Sequence, residues 1–548
     1  MEFFKESIPK YGIFAIMGIV LAIFVYMDWR YLDIQYLAFT SGDEYMQYHS
    51  LLRMYEGILG LNIEDIFRFD SYVYGFVWHL LNLAVVAPFH AVGWSEMAIF
   101  MPRLLNAIFA TLCLGVIYKI SRIYLKHFYS YAIVLMVACM SGFYWSGYSF
   151  KPDVFQALLL LISAYFLIKD NFHFKRNFIY GILFFALSVG IAKIQAIMFL
   201  PLIYLYIGVV WLKNPNVKNI IFCVKYGILS TLGVISMFIL TNPYILHPRG
   251  FGVWSWLFLH NMQSNKTNHG SYIDVSFSDK LFKVIDFYYF EILIFALLIG
   301  FCVYFIYGFF AWNLKNSKRQ NPQNLKHINK YQVSLSVFFP IIGASIISLI
   351  YLFSFVNKTW SSYYVSSIYL LSLALIPLFI YFPFKKLAAI LLIVQIGGGI
   401  SNNSYTKVFH KYNKNLDFQI QKSDDLLSTI TPLIKTCKTK NILTDNPSFA
   451  FKELGLNSKN IYQIFGLLTK DMFILDEFMK ESNSKNPKYF ANPSMIILRK
   501  DSMWFDKAKI KNPNDEFLLK SLSTIKELES LGFKRIESKY FYIYVKDC

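Results

Sequence analysis

The chain of 548 residues is 56% hydrophobic, 19% aromatic and 16% charged, with a mean hydropathy of +0.42. Soluble domains run at about 45–50% apolar and about 25% charged, so a purely soluble protein is excluded. The formal net charge of +19 does not mark a nucleic-acid binder, because Lys and Arg gather in short loops between apolar runs and no basic, aromatic-interleaved soluble module is present.

The first apolar run, Tyr11–Met27, is followed by Asp28, Trp29 and Arg30 and not by a small-residue cleavage site, which reads as an uncleaved span. Asp28–Arg103 comes next, a connection well beyond ordinary loop length, with helical patterns of its own at Tyr45–Leu59 and Ser71–Phe89. Further candidate spans follow at Leu104–Ile120, Tyr131–Trp145, Val154–Ile168, Phe178–Ile191, Ile194–Leu212 and Tyr226–Thr241. After a second long connection, Asn242–Asp286, come Ile285–Trp312, Val333–Phe355, Tyr363–Phe382 and Leu387–Ile400. The expected architecture is an α-helical polytopic membrane protein with about eleven transmembrane helices. It comprises a membrane domain over 1–400, carrying long loops at 28–103 and 242–286, and a domain over 401–548.

Loop charge sets the expected orientation. Alternate loops carry Lys119, Arg122 and Lys126; Lys169, Lys175 and Arg176; Lys213, Lys218 and Lys225; Lys315, Lys318, Arg319, Lys326 and Lys330; and Lys385 and Lys386. The 28–103 loop carries mainly acids. A cytoplasmic N-terminus and an inner (plasma) membrane location follow from this asymmetry, and an odd number of spans places the C-terminal domain on the periplasmic side. That tail has strand-like runs at Asn441–Thr444, Met495–Leu498 and Tyr540–Val545, and a helical pattern at Asp515–Leu531 ending at Gly532, which reads as a small C-terminal α/β extracytoplasmic domain. Cys113, Cys139, Cys223 and Cys302 lie in or beside apolar runs as small hydrophobes, whereas Cys437 and Cys548 are free to pair if the tail lies outside the cytoplasm.

Two acidic helix starts stand on the outer side. Thr40-Ser41-Gly42-Asp43-Glu44 opens an amphipathic helix directly after the first span, and Lys151-Pro152-Asp153 opens the fourth span. Either acid alone serves as a helix cap; two at interface depth on one side point to a shared site. Arg103, Lys193, Arg249 and Lys358 supply cations on that side. Lys193 interrupts the apolar Gly190–Ala196 stretch, where a charge is costly and marks function, although a snorkelling lysine is the plainer reading. Arg249 follows His247 and Pro248 at the start of the second long loop, suited either to lipid headgroups or to one specific phosphate. His247, His260 and His269 share that loop at a spacing that matches no ligand pattern, so no cofactor is assigned, and a divalent metal stays open without being indicated. No Walker A loop, dinucleotide fingerprint or nucleophile elbow occurs, which argues against a soluble nucleotide donor.

The order of these parts resembles the GT-C superfamily of glycosyltransferases, in the bacterial branch related to protein O-mannosyltransferases and the lipid A aminoarabinose transferase. The likeness rests on Ser41-Gly42-Asp43-Glu44-Tyr45, Gly93-Trp94-Ser95-Glu96, Pro102-Arg103-Leu104-Leu105-Asn106-Ala107, Lys151-Pro152-Asp153, Lys193 before Phe199-Leu200-Pro201-Leu202, and Asn242-Pro243-Tyr244. It implies sugar transfer from a polyprenyl-phosphate donor to a glycolipid, glycan or protein acceptor on the outer face, with Asp43 as catalytic acid residue of the first loop and Glu44 beside it. The Lys-Pro-Pro-Leu run of the aminoarabinose branch is absent; Phe69-Asp70-Ser71-Tyr72-Val73-Tyr74-Gly75 stands near that place. Trp-Trp-Asp-Tyr-Gly is absent too, which argues against Asn glycosylation. The residues expected at the chemistry are Asp43, Glu44 and Asp153, with Lys193, Arg249, Arg103, Lys151 and His247 binding substrate and its phosphate. The rival readings are a transporter or lipid flippase, against which stand the absence of an internal repeat and the surface position of the acids, and a membrane scaffold.

Overall fold

The computed structural model describes residues 2–33, 42–67, 74–264, 275–317, 336–358, 360–381, 385–401, 411–437, 442–444, 461–463, 494–500 and 525–546. The described chain is mostly helical. Its helices are α1 (Glu2–Trp29), α2 (Gly42–Leu59), α3 (Ile63–Phe67), α4 (Phe76–Ala91), α5 (Ser95–Tyr124), α6 (His127–Ala138), α7 (Ser141–Gly147), α8 (Asp153–Asp170) and α9 (Arg176–Leu187). There follow α10 (Pro201–Lys213), α11 (Val217–Thr241), α12 (Pro248–Ser264), α13 (Phe277–Tyr288), α14 (Ile292–Ser317), α15 (Phe338–Phe355), α16 (Val365–Ser372), α17 (Leu375–Tyr381), α18 (Lys385–Gly398) and α19 (Lys411–Thr436).

Among the described residues seven helices are long and apolar enough to cross a membrane, or eight if the pair α6–α7, bent by 65°, is one span. Shorter apolar helices over Arg176–Ala192 and Ala388–Ser401, together with α8, occupy the other segments expected to span. The lipid side is plain on α11, where Ile220, Ile221, Val224, Ile228 and Leu232 are exposed, as a helix with water on neither face requires. The centre is α8, buried on nearly every side and packed between α5, α9 and α16.

Two expectations are corrected. The run Ile285–Trp312 is not one helix: Asp279, Lys283 and Asp286 make the preceding segment amphipathic, so α13 ends at Tyr288 and the apolar helix starts at Ile292. The run Tyr131–Trp145 is broken at Cys139–Met140 into α6 and α7. Helix junctions are fixed by polar side chains. Asp170 closes α8 and accepts from the amides of Lys175 and Phe178 at 3.0 and 3.2 Å, so one carboxylate ends one helix and caps the next. Ser276 and Asp279 form a capping box at the head of α13.

The C-terminal part carries a five-stranded sheet in the order β2-β1-β3-β5-β4, with β1 (Ile442–Thr444), β2 (Ile461–Gln463), β3 (Met495–Arg499), β4 (Lys534–Glu537) and β5 (Phe541–Val545). β1 is parallel to β2 and β3, and β5 is antiparallel to β3 and β4. Three of these strands fall on the runs expected from sequence. Residues 525–530 are helical and end at Gly532, whose φ of +91° suits glycine; the remainder of the expected Asp515–Leu531 helix lies outside the described residues. Helix α19 binds the sheet through Asp425, which accepts from Ser538 Oγ and from the amides of Lys539 and Tyr540. The same helix touches the membrane part through an Arg30–Asp417 ion pair at 3.7 Å.

Candidate active site

Asp153 and Lys193 form a buried ion pair. Asp153 stands in the first turn of α8 directly after Pro152, and Lys193 Nζ lies 2.8 Å from its Oδ1, with the two residues 4% and 6% exposed. Lys193 reaches that point because its helix is interrupted. After α9 the chain makes a π-turn over Ser188–Ala192, passes through Lys193 in extended geometry (φ −153°, ψ 129°), and makes a 3-10 turn over Ile194–Phe199 before α10. Interrupted helices free backbone groups that need partners at membrane depth, and two segments, at Tyr74–Gly75 and at Asn242, provide them. Tyr74 pairs with Lys193 in an antiparallel bridge. The amide of Gly75 donates to Ala192 O at 3.3 Å. Asn242 donates to Gly190 O at 2.8 Å and accepts from the amide of Phe76 at 3.0 Å. A Cβ at Gly75 would lie 2.2 Å from Gly190 O and 2.3 Å from Ile191 O, so only glycine permits this approach.

Aromatic rings surround the cations. Lys193 Nζ lies 5.0 Å from the Tyr363 ring and 5.6 Å from the Tyr74 ring, Lys358 lies 6.0 Å from Tyr363, and Lys151 lies 5.4 Å from Trp360. The ammonium groups of Lys151, Lys193 and Lys358 therefore all lie against the rings of Trp360 and Tyr363, within cation–π range. The Tyr288 hydroxyl donates to Ser361 O at 2.6 Å and lies within electrostatic range of Asp153.

A second buried cluster holds the loop that leads into Asp153. Glu44, fully buried on α2, pairs through Oε2 with Arg103 of α5 at 3.2 Å and accepts through Oε1 from the amide of Phe150 at 2.6 Å. Gln47, one turn along α2, donates to Phe150 O at 2.9 Å and accepts from Trp78 Nε1 at 2.8 Å. Residues three apart share a helix face, so α2 grips both polar groups of one residue. Asn106, three after Arg103, donates to the carbonyls of Ser146 and Gly147, C-terminal acceptors left open by α7, and to that of Ser149 beyond it. Asp28, at the end of α1 and 1% exposed, lies in the fields of Arg103 and Glu44, and neither of its oxygens has a hydrogen-bond partner among the described residues.

The residues singled out by sequence thus fall into three places. Asp153, Lys193 and Lys151 share the aromatic-lined site. Glu44 and Arg103 stand in the supporting cluster, with both carboxylate oxygens of Glu44 engaged. Arg249 does not share Asp153 with Lys193: its guanidinium pairs with Glu64 of α3 at 3.3 Å in an open cleft of about 510 Å³ that also holds His247. Asp43 belongs to the first turn of α2; its side chain lies outside the described residues. Asp28, Gln47 and Trp78 were not predicted. The spacing of Gln47 from Glu44 was a usable signal, whereas Asp28 reads in sequence as the polar end of a span. Among the described residues no group of three or more His, Cys, Asp or Glu side chains is placed to hold a metal.

Comparison with known proteins bears on this geometry. Residues 85–238, which carry Arg103, Asp153 and Lys193, match the family model for dolichyl-phosphate-mannose-protein mannosyltransferase. The structure is similar to ArnT from Cupriavidus metallidurans bound to undecaprenyl phosphate, with a TM-score of 0.51 at 10% identity over 97% of this chain and 98% of that one. It is similar to the apo state of the same protein with a TM-score of 0.52, again at 10% identity, over 97% of each chain. The fold is the one seen in these two ArnT structures. No curated protein matches the sequence. The matched segment runs from within α4 into α11 and carries Arg103, Asn106, Lys151, Asp153 and Lys193, whereas Glu44, Gln47 and Trp78 precede it and Lys358, Trp360 and Tyr363 follow it. The protein has the helical architecture of a multi-pass membrane protein.

Proposed function

We propose that the protein transfers a sugar from a polyprenyl-phosphate carrier to a glycolipid, glycan or protein acceptor on the outer face of the inner membrane. The observation that carries this reading is the buried Asp153–Lys193 pair with Lys151 and Lys358 nearby, three ammonium groups set around aromatic rings. Such an array suits a phosphate whose carrier is a lipid, and the ArnT structure of similar fold holds undecaprenyl phosphate.

In the proposed reaction an acceptor hydroxyl oxygen attacks the anomeric carbon and its proton passes to Asp43. The bond from that carbon to the phosphate oxygen breaks, and the phosphate leaves with the electron pair. Lys193, Lys151 and Lys358 stabilise the negative charge that develops on it. Asp153 holds Lys193 in place. Glu44 and Arg103 position the Phe150–Asp153 segment. The domain division at residues 400 and 401 belongs to this reading, with the sheet-bearing part outside the cytoplasm. A disulfide at Cys437 supports that side, because structural disulfides persist in oxidising compartments, and the free Cys113, Cys139, Cys223 and Cys302 are all in the membrane part.

The test is deletion of the gene followed by mass spectrometry of glycolipids and glycoproteins, with complementation by the wild type, Asp43→Asn and Asp153→Asn. A sugar mass lost on deletion and restored by the wild type alone supports the reading. An unchanged glycan profile on deletion, or full restoration by both variants, rejects it.

A further inference from the structure

The outer-loop cleft occupied by Arg249 has a chemistry different from the lysine site. It is lined by Ile63, Glu64, Phe67, Tyr244, His247 and Arg249, together with Pro243. Its one described cation is paired: Arg249 Nη1 lies 3.3 Å from Glu64 Oε1, with both side chains open to solvent. A bound phosphate would have to compete with that carboxylate and sit against its charge. A neutral polyhydroxyl group meets no such conflict, because the ion pair offers a fork of donors beside a carboxylate acceptor. Beside Ile63 and Pro243, the rings of Phe67, Tyr244 and His247 line the rest. Tyr244 and His247 are stacked at 5.4 Å and 6°, and Phe67 stacks on Phe76 at 5.0 Å. Flat apolar faces beside a few convergent polar groups, in a space of about 510 Å³, fall within the ordinary range of small-ligand sites.

The cleft is also tied to the reaction centre. Pro243 and Tyr244 follow Asn242, whose side chain links Gly190 O to the amide of Phe76, and Tyr74, two residues before Phe76, forms the bridge with Lys193. Gly250 packs so closely on Tyr244 O that a Cβ there would lie 1.8 Å away, which fixes the turn from Tyr244 to Arg249.

We infer that this cleft binds a neutral carbohydrate unit of the acceptor, held by Glu64 and Arg249 against the faces of Tyr244 and Phe67. The inference rests on the transferase reading for the word acceptor, and its test is independent of turnover. The full chain in lipid nanodiscs is irradiated with a diazirine-tagged neutral disaccharide of N-acetylglucosamine or of mannose, and the cross-links are mapped by mass spectrometry. With at least one of the two probes, cross-links concentrate on residues 63–67 and 243–249. They fall at least about fivefold in Tyr244→Ala and in the isosteric Glu64→Gln, each checked for an unchanged melting temperature, and persist in Lys193→Gln. Excess polyprenyl phosphate leaves them unchanged. Cross-links no denser there than elsewhere on the outer surface, or insensitive to both cleft variants, overturn the inference. Displacement by polyprenyl phosphate also overturns it, since it gives the cleft to the donor. Loss of cross-linking with transfer intact in the deletion test rejects the cleft alone, and cross-linking without any glycan change rejects the transferase reading alone.

Discussion

The amide of Phe150 donates to Oε1 of Glu44 at 2.6 Å across 106 positions of sequence, while Gln47, on the same face of α2, donates to the Phe150 carbonyl. Helix α2 therefore locks the backbone three residues before Asp153.

Glu44→Ala removes that acceptor and takes away the carboxylate that Arg103 meets at 3.2 Å. Breaking a buried ion pair from one side costs about 3–5 kcal/mol, so Glu44→Ala accumulates poorly and melts well below the wild type in thermal-shift measurements. Glu44→Gln keeps the acceptor oxygen for Phe150 but loses the charge, and it falls between the two.

Asp153 and Lys193 separate stability from chemistry. Asp153→Asn or Lys193→Gln alone leaves one buried charge uncompensated, whereas the double variant leaves none. The double variant is expected to recover most of the melting temperature of the wild type and none of the transfer, as read by glycan mass spectrometry. Recovery of both would make the pair structural only.

Gly75→Ala places a methyl group against the carbonyls of Gly190 and Ile191. Backbone on both sides cannot yield cheaply, so the Tyr74–Lys193 bridge opens and transfer drops at least about tenfold. Gly18→Ala, with open space around its Cβ, serves as the matched control and is silent.

Cys437→Ser removes a disulfide from a domain with a small sheet. Loss of a native disulfide costs about 2–5 kcal/mol in small domains, so limited proteolysis cuts the region after residue 401 much faster in the variant. The wild-type cysteine resists maleimide until a reductant is added.

How much of this was legible in sequence depends on distance along the chain. The break at Lys193 was visible because a charge stood in an apolar run. The helix starts at Asp43 and Asp153 were visible because acids and Pro152 mark first turns. The partners were not visible. Nothing local says that Asp153 meets Lys193, or that Arg249 meets Glu64, since such pairs are chosen by helix packing. Gln47 shares a helix face with Glu44 by its spacing, but that it is fully buried follows only from the packing of α4 against α2. The join of Ile285 to Ile292 misled because hydropathy averaged over a window hides the polar period of α13. β4, with Lys534, Arg535 and Glu537, carries the charges of an edge strand and not the alternation of a half-buried one.

The interruption between α9 and α10 has a consequence for how the polypeptide is made. Its open carbonyls at Gly190 and Ala192 are answered by Gly75, synthesised earlier, and by Asn242, which leaves the ribosome about fifty residues later. This segment cannot finish as an autonomous unit during insertion: it waits, half-formed, for a chain portion still inside the exit tunnel, and a nascent chain stalled before Asn242 presents an incomplete hydrophobic element to the translocation machinery.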